Sequence, residues 1–401
     1  MPFMMHRILR SLFYSLALFA VIISFAACSG SNENIGGVKV IPIGETLEGS
    51  HKFAKMSDYF SGIDYIPLQT DSICMLGNVY NLGFPGDNIV IADAVSRRCM
   101  LFGKDGSFKG FVGDLGNANG EYSIFMDLSV NPFNGEIGVY DFRKVVVYDR
   151  NGNFVRNVVC GDMASERGFF LASVELFDKY YVMNGCDYYN DDAYSIFIDE
   201  NVNIVHVDGQ IAEPDNLSNE RPPVRLGGRD AAKAYIFDNE LYILSKRADT
   251  IFSYNNSLQK TPRYILDYGK FVGEKRVAIN GVRTYESDNI LLFGLFTFSN
   301  RFAFMHEYKL TMCYMVYSKQ SGKTEMLPYD VSARKYGFEN DIDGSGMSFL
   351  PMAVEGNAMY QVVDSYRFIE CAERSNSAKM KAVAATLTDE SNPVLVKAVL
   401  K

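Results

Sequence analysis

From Asn88 onward the chain alternates short apolar runs with polar breaks and turn residues. NIVIADAVSRRCMLFGKDGSFKGFVG, from Asn88, and EIGVYDFRKVVVYDRNGNFVRNVV, from Glu136, share one layout: a β-rich run ending in Asp, a polar break, a second run, a turn and a third run. Gly106 and Gly152 close the two turns 46 positions apart. Asp105-Gly106 and Asn151-Gly152 supply the positive φ angles of a tight hairpin, so the runs on either side are antiparallel neighbours.

Fainter copies cover residues 179–208 and 240–269, where Asp199-Glu200-Asn201 and Asn255-Asn256 occupy the turn. A fifth unit fits 300–330, with Gln320-Ser321-Gly322 at its turn, and a shorter sixth fits 347–364. Six such units predict an all-β fold, a six-bladed β-propeller with four strands per blade. The sixth unit is short of strands, and IDYIPLQT (63–70) precedes the first complete unit without a repeat of its own. Pairing the two would close the ring and remove its exposed edges. The segment from Tyr366 has Ala and Lys without the turn rhythm and predicts a short C-terminal helical segment. In SNPVLVKAVLK, Pro393 either opens a last helix or precedes a strand added to the last blade.

Composition agrees with strands: the 401 residues are 48% hydrophobic and include 25 Tyr and 29 Phe but no Trp. The first thirty residues belong to a different class. Arg7 and Arg10 precede LFYSLALFAVIISF (12–25), an apolar run too short to favour a permanent membrane span, and Phe25-Ala26-Ala27-Cys28 places small residues directly before a cysteine. Residues 1–27 therefore predict a secretory signal. Their removal leaves 37 Lys and Arg against 48 Asp and Glu, a formal charge of −11. Such a surface argues against nucleic acid as a partner. Once Cys28 is set aside, six cysteines remain, widely spaced and without CxxC, and buried free thiols are expected.

The lipobox-like Cys28, IDYIPLQT, KDGSFKGFVGDLGNANGEY, ADTIFSY followed by PRYILDYG, NDIDGSG and DESNPVLVKAVLK occur in an order that resembles the lipid-anchored six-bladed β-propeller proteins common in Bacteroidota, similar in repeat style to NHL propellers. That family usually carries G-x-G-P-G-E-Y where this chain has Ala118 and Asn119, retaining Gly116, Gly120, Glu121 and Tyr122. The resemblance implies lipidation at Cys28, export, and attachment to the cell envelope, expected at the outer membrane on its periplasmic or surface face. It implies no settled activity; by analogy alone, glycan or peptide capture beside outer-membrane transport systems is the expected kind of service. The expected organisation is a signal over 1–27, lipidated Cys and flexible tether over 28–45, propeller over 46–370, and a C-terminal segment over 371–401, helical with a closing strand at its end.

Catalytic motifs are scarce. His51, His206 and His306 lie far apart, Gly344-Ser345-Gly346 lacks the GxSxG spacing, and neither metal nor cofactor is expected. The loop from Asp341 begins like a calcium loop but has Met352 at the twelfth position, where a bidentate Glu is required. It reads as a polar turn. Candidate binding residues are Arg221, Arg225 and Arg229 in RPPVRLGGRD, which form either a cationic rim for a carboxylated ligand or a solvent-facing connector, and Tyr188 and Tyr189 beside Asp191. Arg143 is a candidate for the channel. In GDLGNANGEY (113–122) no strand-to-helix transition or P-loop lysine follows, so its glycines are expected to carry the chain between blades, with Glu121 and Tyr122 as inter-blade contacts. The expected role is a binding or scaffolding module, and the alternative is a glycan-active lyase or hydrolase whose acid and base come from different blades.

Overall fold

The computed structural model describes residues 34–49, 53–161, 169–187, 193–209, 232–244, 249–271, 277–297, 312–330 and 335–401. Among the described residues two two-stranded pairs, Asp114–Leu115 with Glu121–Tyr122 and Tyr329–Asp330 with Lys335–Tyr336, lie outside six larger sheets. Each of the six holds an antiparallel four-stranded blade that runs from an innermost to an outermost strand. In that order, blade 1 comprises Val79–Gly83, Asn88–Asp93, Arg98–Gly103 and Phe108–Val112, and blade 2 Asp127–Val130, Ile137–Tyr140, Lys144–Tyr148 and Phe154–Val159. Blade 3 comprises Phe169–Phe177, Tyr180–Asp187, Ala193–Ile198 and Ile204–Asp208, and blade 4 Lys233–Phe237, Glu240–Leu244, Thr250–Tyr254 and Lys260–Asp267. Blade 5 is built from Val277–Glu286, Ile290–Thr297, Met312–Ser318 and Thr324–Leu327.

Blade 6 draws on both ends of the chain. Its order is Ala353–Glu355, Ala358–Val363, Val394–Leu400 and Phe60–Pro67. The run after Pro393 is thus a strand, antiparallel to both neighbours, with Tyr65 opposite Val396 and Gln361 opposite the same residue on the other side. IDYIPLQT supplies the outermost strand. The helical segment is an insertion between the second and third strands: helices Ser365–Arg374 and Ala378–Ala384, the second capped by Ser377 Oγ, which accepts from Met380 N. Phe368, Cys371 and Ala372 of the first helix fall on one face and are buried, the i, i+3, i+4 pattern of a helix laid on a core.

Apolar side chains gather in the gaps between neighbouring blades. Leu101 and Val112 of blade 1 meet Val139 and Val146 of blade 2, and Val147 meets Val174 and Met183 of blade 3. Phe177 and Phe197 meet Leu241 and Tyr254 of blade 4, and Tyr264 meets Phe293 and Met315 of blade 5. Leu292 then meets Val396 of blade 6, whose Tyr360 and Leu395 return to Ile91 and Phe102 of blade 1. The circuit is closed, and Lys104 of blade 1 pairs with Glu355 of blade 6 at the seam.

Turn chemistry follows the repeat. Gly106 and Gly152 take φ of 85° and 86° in the hairpins before the outer strands. At Gly106 a Cβ would lie 2.2 Å from the Pro67 carbonyl oxygen of the closing strand, so the turn leaves no room for one.

The chain packs earlier than the expected tether boundary at 45. Val38–Pro42 adds as a parallel strand to the outer edge of blade 4, opposite Tyr264–Asp267, and the helix Ile43–Glu48 comes next. Ile41 and Ile43 are fully buried against blades 4 and 5. The apolar positions of VKVIPIGETL cover a sheet edge that would otherwise be open, which flanking polar residues alone do not indicate. The propeller likewise extends beyond 370, because blade 6 needs Val394–Leu400 as its third strand.

Candidate functional site

The innermost strand of a propeller blade has no partner for the backbone groups along its channel edge. In blades 1 to 3, polar side chains from one inner strand satisfy groups on the next at a constant offset of 47 residues. Asn81 Nδ2 donates to Leu128 O (3.0 Å), and Asp127 Oδ2 accepts from Val174 N (3.2 Å). Ser129 Oγ accepts from Leu176 N (3.0 Å), and Asn131 Nδ2 donates to Asp178 O (2.7 Å). These side chains act as rungs between blades.

On this frame three charged residues from consecutive inner strands come together: Asp127 of blade 2, Glu175 of blade 3 and Lys233 of blade 4, all half-buried. Glu175 Oε2 accepts from Ser129 Oγ (2.8 Å). Burial pushes the Asp127 carboxyl up to about 6, against the pull of Lys233 and the N–H donors on its oxygens. Burial, followed by the Asp127 charge, pushes Glu175 up to about 8. Asp127, which accepts from three N–H donors, is the better-stabilised anion of the two, and burial favours the neutral form of Glu175, which accepts from Ser129 alone. None of the three stands out in the sequence by motif or spacing, although Asp127 in FMDLSV and Glu175 in FFLASVELF are lone acids within otherwise apolar or small-residue strands.

The alternating strand directions place the turns between second and third strands on the same face as the crossovers between blades. Arg143 lies in such a turn, between Ile137–Tyr140 and Lys144–Tyr148, and not on an inner strand. Its Nη2 donates to Asn117 Oδ1 (3.2 Å) in the blade 1 to blade 2 crossover, which corrects the expected channel position. The register left open by sequence puts it outward of the channel wall. Tyr80, Val95, Ile124 and Phe142 expose apolar surface on this crossover side of blades 1 and 2. Cys28, Tyr188, Tyr189, Arg221, Arg225 and Arg229 lie outside the described residues.

GDLGNANGEY joins the outer strand of blade 1 to the inner strand of blade 2. Tyr122 is fully buried between the blades: its Oη accepts from Cys99 N (2.9 Å), and Tyr148 Oη donates to Gly120 O (2.8 Å). Glu121 turns into its own loop, where Oε2 accepts from Ala118 N (2.9 Å). Tyr122→Phe is expected to leave the buried Cys99 N–H unpaired and to lower stability by about 1–3 kcal/mol. Urea unfolding reads this as a lower midpoint at constant slope; an unchanged midpoint contradicts the assignment.

Other polar clusters have structural partners. Asp341 accepts from Ser57 N and Oγ, and Asp343 from Tyr65, Asn340 and Ser345 N, so this loop ties the closing strand to the blade 5 to blade 6 crossover. Among the described residues, no three His, Cys, Asp or Glu side chains form a group able to hold a metal ion. The six described cysteines are free and buried, and burial pushes Cys99, Cys160 and Cys313 up to about 12, which leaves them unreactive as thiolates.

Six radial sheets, apolar layers between all neighbours and a shared sixth blade define a closed six-bladed β-propeller. The chain belongs to the family described as a domain of unknown function, DUF4934, whose model matches residues 38–398. A comparison with curated proteins finds no match. The crystal structure of a Bacteroides fragilis protein designated as exported superposes with a TM-score of 0.63 at 15% identity, covering 88% of this chain and 98% of that one. A member of the DUF4221 family from Bacteroides vulgatus gives 0.46 at 8% identity, over 85% and 97%. A Bacteroides thetaiotaomicron protein of unknown function gives 0.40 at 10% identity, over 88% and 75%. The first of these likenesses supports the fold alone.

Proposed function

We propose that this protein is a cell-envelope lipoprotein, lipidated at Cys28 and held at the outer membrane, whose propeller is a binding or scaffolding module that takes a glycan or peptide at the channel. The observation that carries the reading is the convergence of Asp127, Glu175 and Lys233 from three blades onto one wall. Charged groups on inner strands bear a desolvation cost that apolar residues would avoid, which is intelligible where a ligand uses them. In this reading attachment comes from the acyl chains on Cys28; no helix among the described residues is long and apolar enough to cross a membrane.

A second reading, a glycan-active lyase or hydrolase, is favoured by the unlike surroundings of the two acids: three N–H donors hold Asp127 as an anion while burial favours neutral Glu175, which suits a base and an acid. Screening the mature protein against glycans and peptides, with product analysis by mass spectrometry, separates the two. Saturable binding without new products is expected. Cleavage products would replace the first reading with the second, and absence of binding across the screen would remove both. Cys28→Ala is expected to release the protein to the soluble fraction on cell fractionation; continued membrane retention contradicts the anchor.

A further inference from the structure

If the propeller is a binding module, the chemistry of its channel ligand is set by which channel groups lack a protein partner. Asp127 is fully engaged: Oδ1 accepts from Leu128 N (2.9 Å) and Asn81 Nδ2 (3.4 Å), and Oδ2 from Val174 N. Ser129 accepts from Leu176 N and donates to Glu175 Oε2. Two polar ends remain. Among the described residues Lys233 Nζ makes no ion pair or hydrogen bond, and Glu175 Oε1 has no partner, although Lys233 is close enough for its charge to act on both acids.

Opposite charges on Asp127 and Lys233 balance, leaving the protonated Glu175 and the ammonium as donors on a half-buried wall. Two such donors suit the two oxygens of an organic carboxylate. Tyr80, at the inner strand of blade 1, points to the body of the ligand. Its side chain is 57% exposed, and Phe125 backs it edge-on with ring centroids 5.8 Å apart. The ring also lies near enough to Asp127 for that carboxylate, after burial, to raise its phenol. An exposed aromatic face held in place by a second ring offers an apolar platform with a polar tip, a match for the mixed surface of a sugar. Blades 1 and 4 face each other across a six-membered ring, so a ligand that reaches both Tyr80 and Lys233 spans more than one sugar unit.

We propose, on the binding-module reading, that the channel binds an acidic oligosaccharide, with a uronate carboxylate seated between Lys233 Nζ and Glu175 Oε1 and a neighbouring sugar ring on Tyr80. The groups that govern Glu175 are Ser129 and the Asp127 charge on blade 2 and Lys233 on blade 4. Glu286 of blade 5 is turned away, bound to Tyr235, Tyr264 and Lys319. The bound carboxylate needs Glu175 protonated, so affinity is retained below about pH 8 and falls above it, by up to about tenfold per pH unit, as Glu175 ionises and repels the ligand.

Calorimetric titration of the mature protein tests this with three probes: a uronate oligosaccharide, the same oligosaccharide with its carboxyls reduced to alcohols, and a peptide with a free C-terminal carboxylate. The acidic oligosaccharide is expected to bind at least about tenfold more tightly than the reduced one, and Lys233→Met to lose about tenfold or more. Glu175→Gln keeps a donor and is expected to flatten the pH profile, while Tyr80→Ala weakens both oligosaccharides alike. Equal affinity for the acidic and reduced probes overturns the carboxylate site but leaves the binding module standing. Preference for the peptide overturns the sugar assignment, and binding of none of the three overturns both. Melting curves check that the variants fold; if Lys233→Met does not, the wild-type pH profile and the reduced probe decide the matter.

Discussion

Deleting residues 53–70 is expected to abolish the cooperative unfolding transition of the whole propeller, leaving a chain without a thermal melt in near-ultraviolet circular dichroism. The deleted strand Phe60–Pro67 is the outer strand of blade 6, and its loss exposes Val394–Leu400 as an apolar edge. Ala54, Met56, Phe60, Tyr65 and Leu68 go with it, all buried. At roughly 1.5–3 kcal/mol for each large apolar side chain, the loss is comparable with the ~5–15 kcal/mol net stability of a typical domain. Asp343 would also lose its Tyr65 partner, and the Gln69 N to Gly106 O bond at the blade 1 seam would be absent. Truncation before Val394 is expected to have the same result. A deletion variant with an unchanged transition would show that closure is not made by these strands.

The second large effect is expected at Glu286, the last residue of the inner strand of blade 5. Its side chain is 0% exposed, it accepts from Tyr235 Oη (2.6 Å) and Tyr264 Oη of blade 4, and it pairs with Lys319 Nζ at 2.6 Å. Lys319 is itself only 10% exposed and lies 4.0 Å from the centroid of the Phe237 ring. Glu286→Ala would strand two phenols and an ammonium between blades, and burial already lowers the Lys319 affinity for its proton. The expected loss is about 3–5 kcal/mol, read by denaturant unfolding. Replacing both members, Glu286→Leu with Lys319→Met, is expected to recover the part due to the stranded ammonium, since an apolar pair leaves no uncompensated charge, but not the part due to the Tyr235 and Tyr264 hydroxyls, which still lack an acceptor. If the single substitution costs no more than an ordinary surface change, or the double one recovers nothing, the cluster does not hold blades 4 and 5 together.

Much of the fold is legible because it is written in local patterns. Strand runs such as NIVIAD and VVVYD are bounded by turn residues whose backbone angles the chain demands, and Gly106 and Gly152 adopt the positive φ their dipeptides imply. The inner strand YNLG of blade 1 escapes the repeat pattern, because a short strand with a mixed pattern carries little periodic signal. For the candidate site, charge alone points to Arg143, and its place in a turn between the second and third strands takes it off the channel. Tyr122 is legible from its position after a glycine-rich crossover, whereas its neighbour Glu121 engages its carboxylate within its own loop.

The sequence by itself determined the repeat, the antiparallel hairpins, the number of blades and the export-like N-terminus, since each rests on residues adjacent along the chain. Only the tertiary structure decided that both ends of the chain share blade 6, that Val38–Pro42 covers the edge of blade 4, and that Asp127, Glu175 and Lys233 meet. The physical reason is that these features depend on contacts between inner strands and distant edges. Residues of different blades become neighbours only once the ring has closed, and no local propensity records that meeting. GDLGNANGEY shows both halves of this: its glycines mark a crossover in the sequence, but which blades it joins, and that Tyr122 seals the gap between them, is set by the packing of Cys99 and Tyr148 on either side.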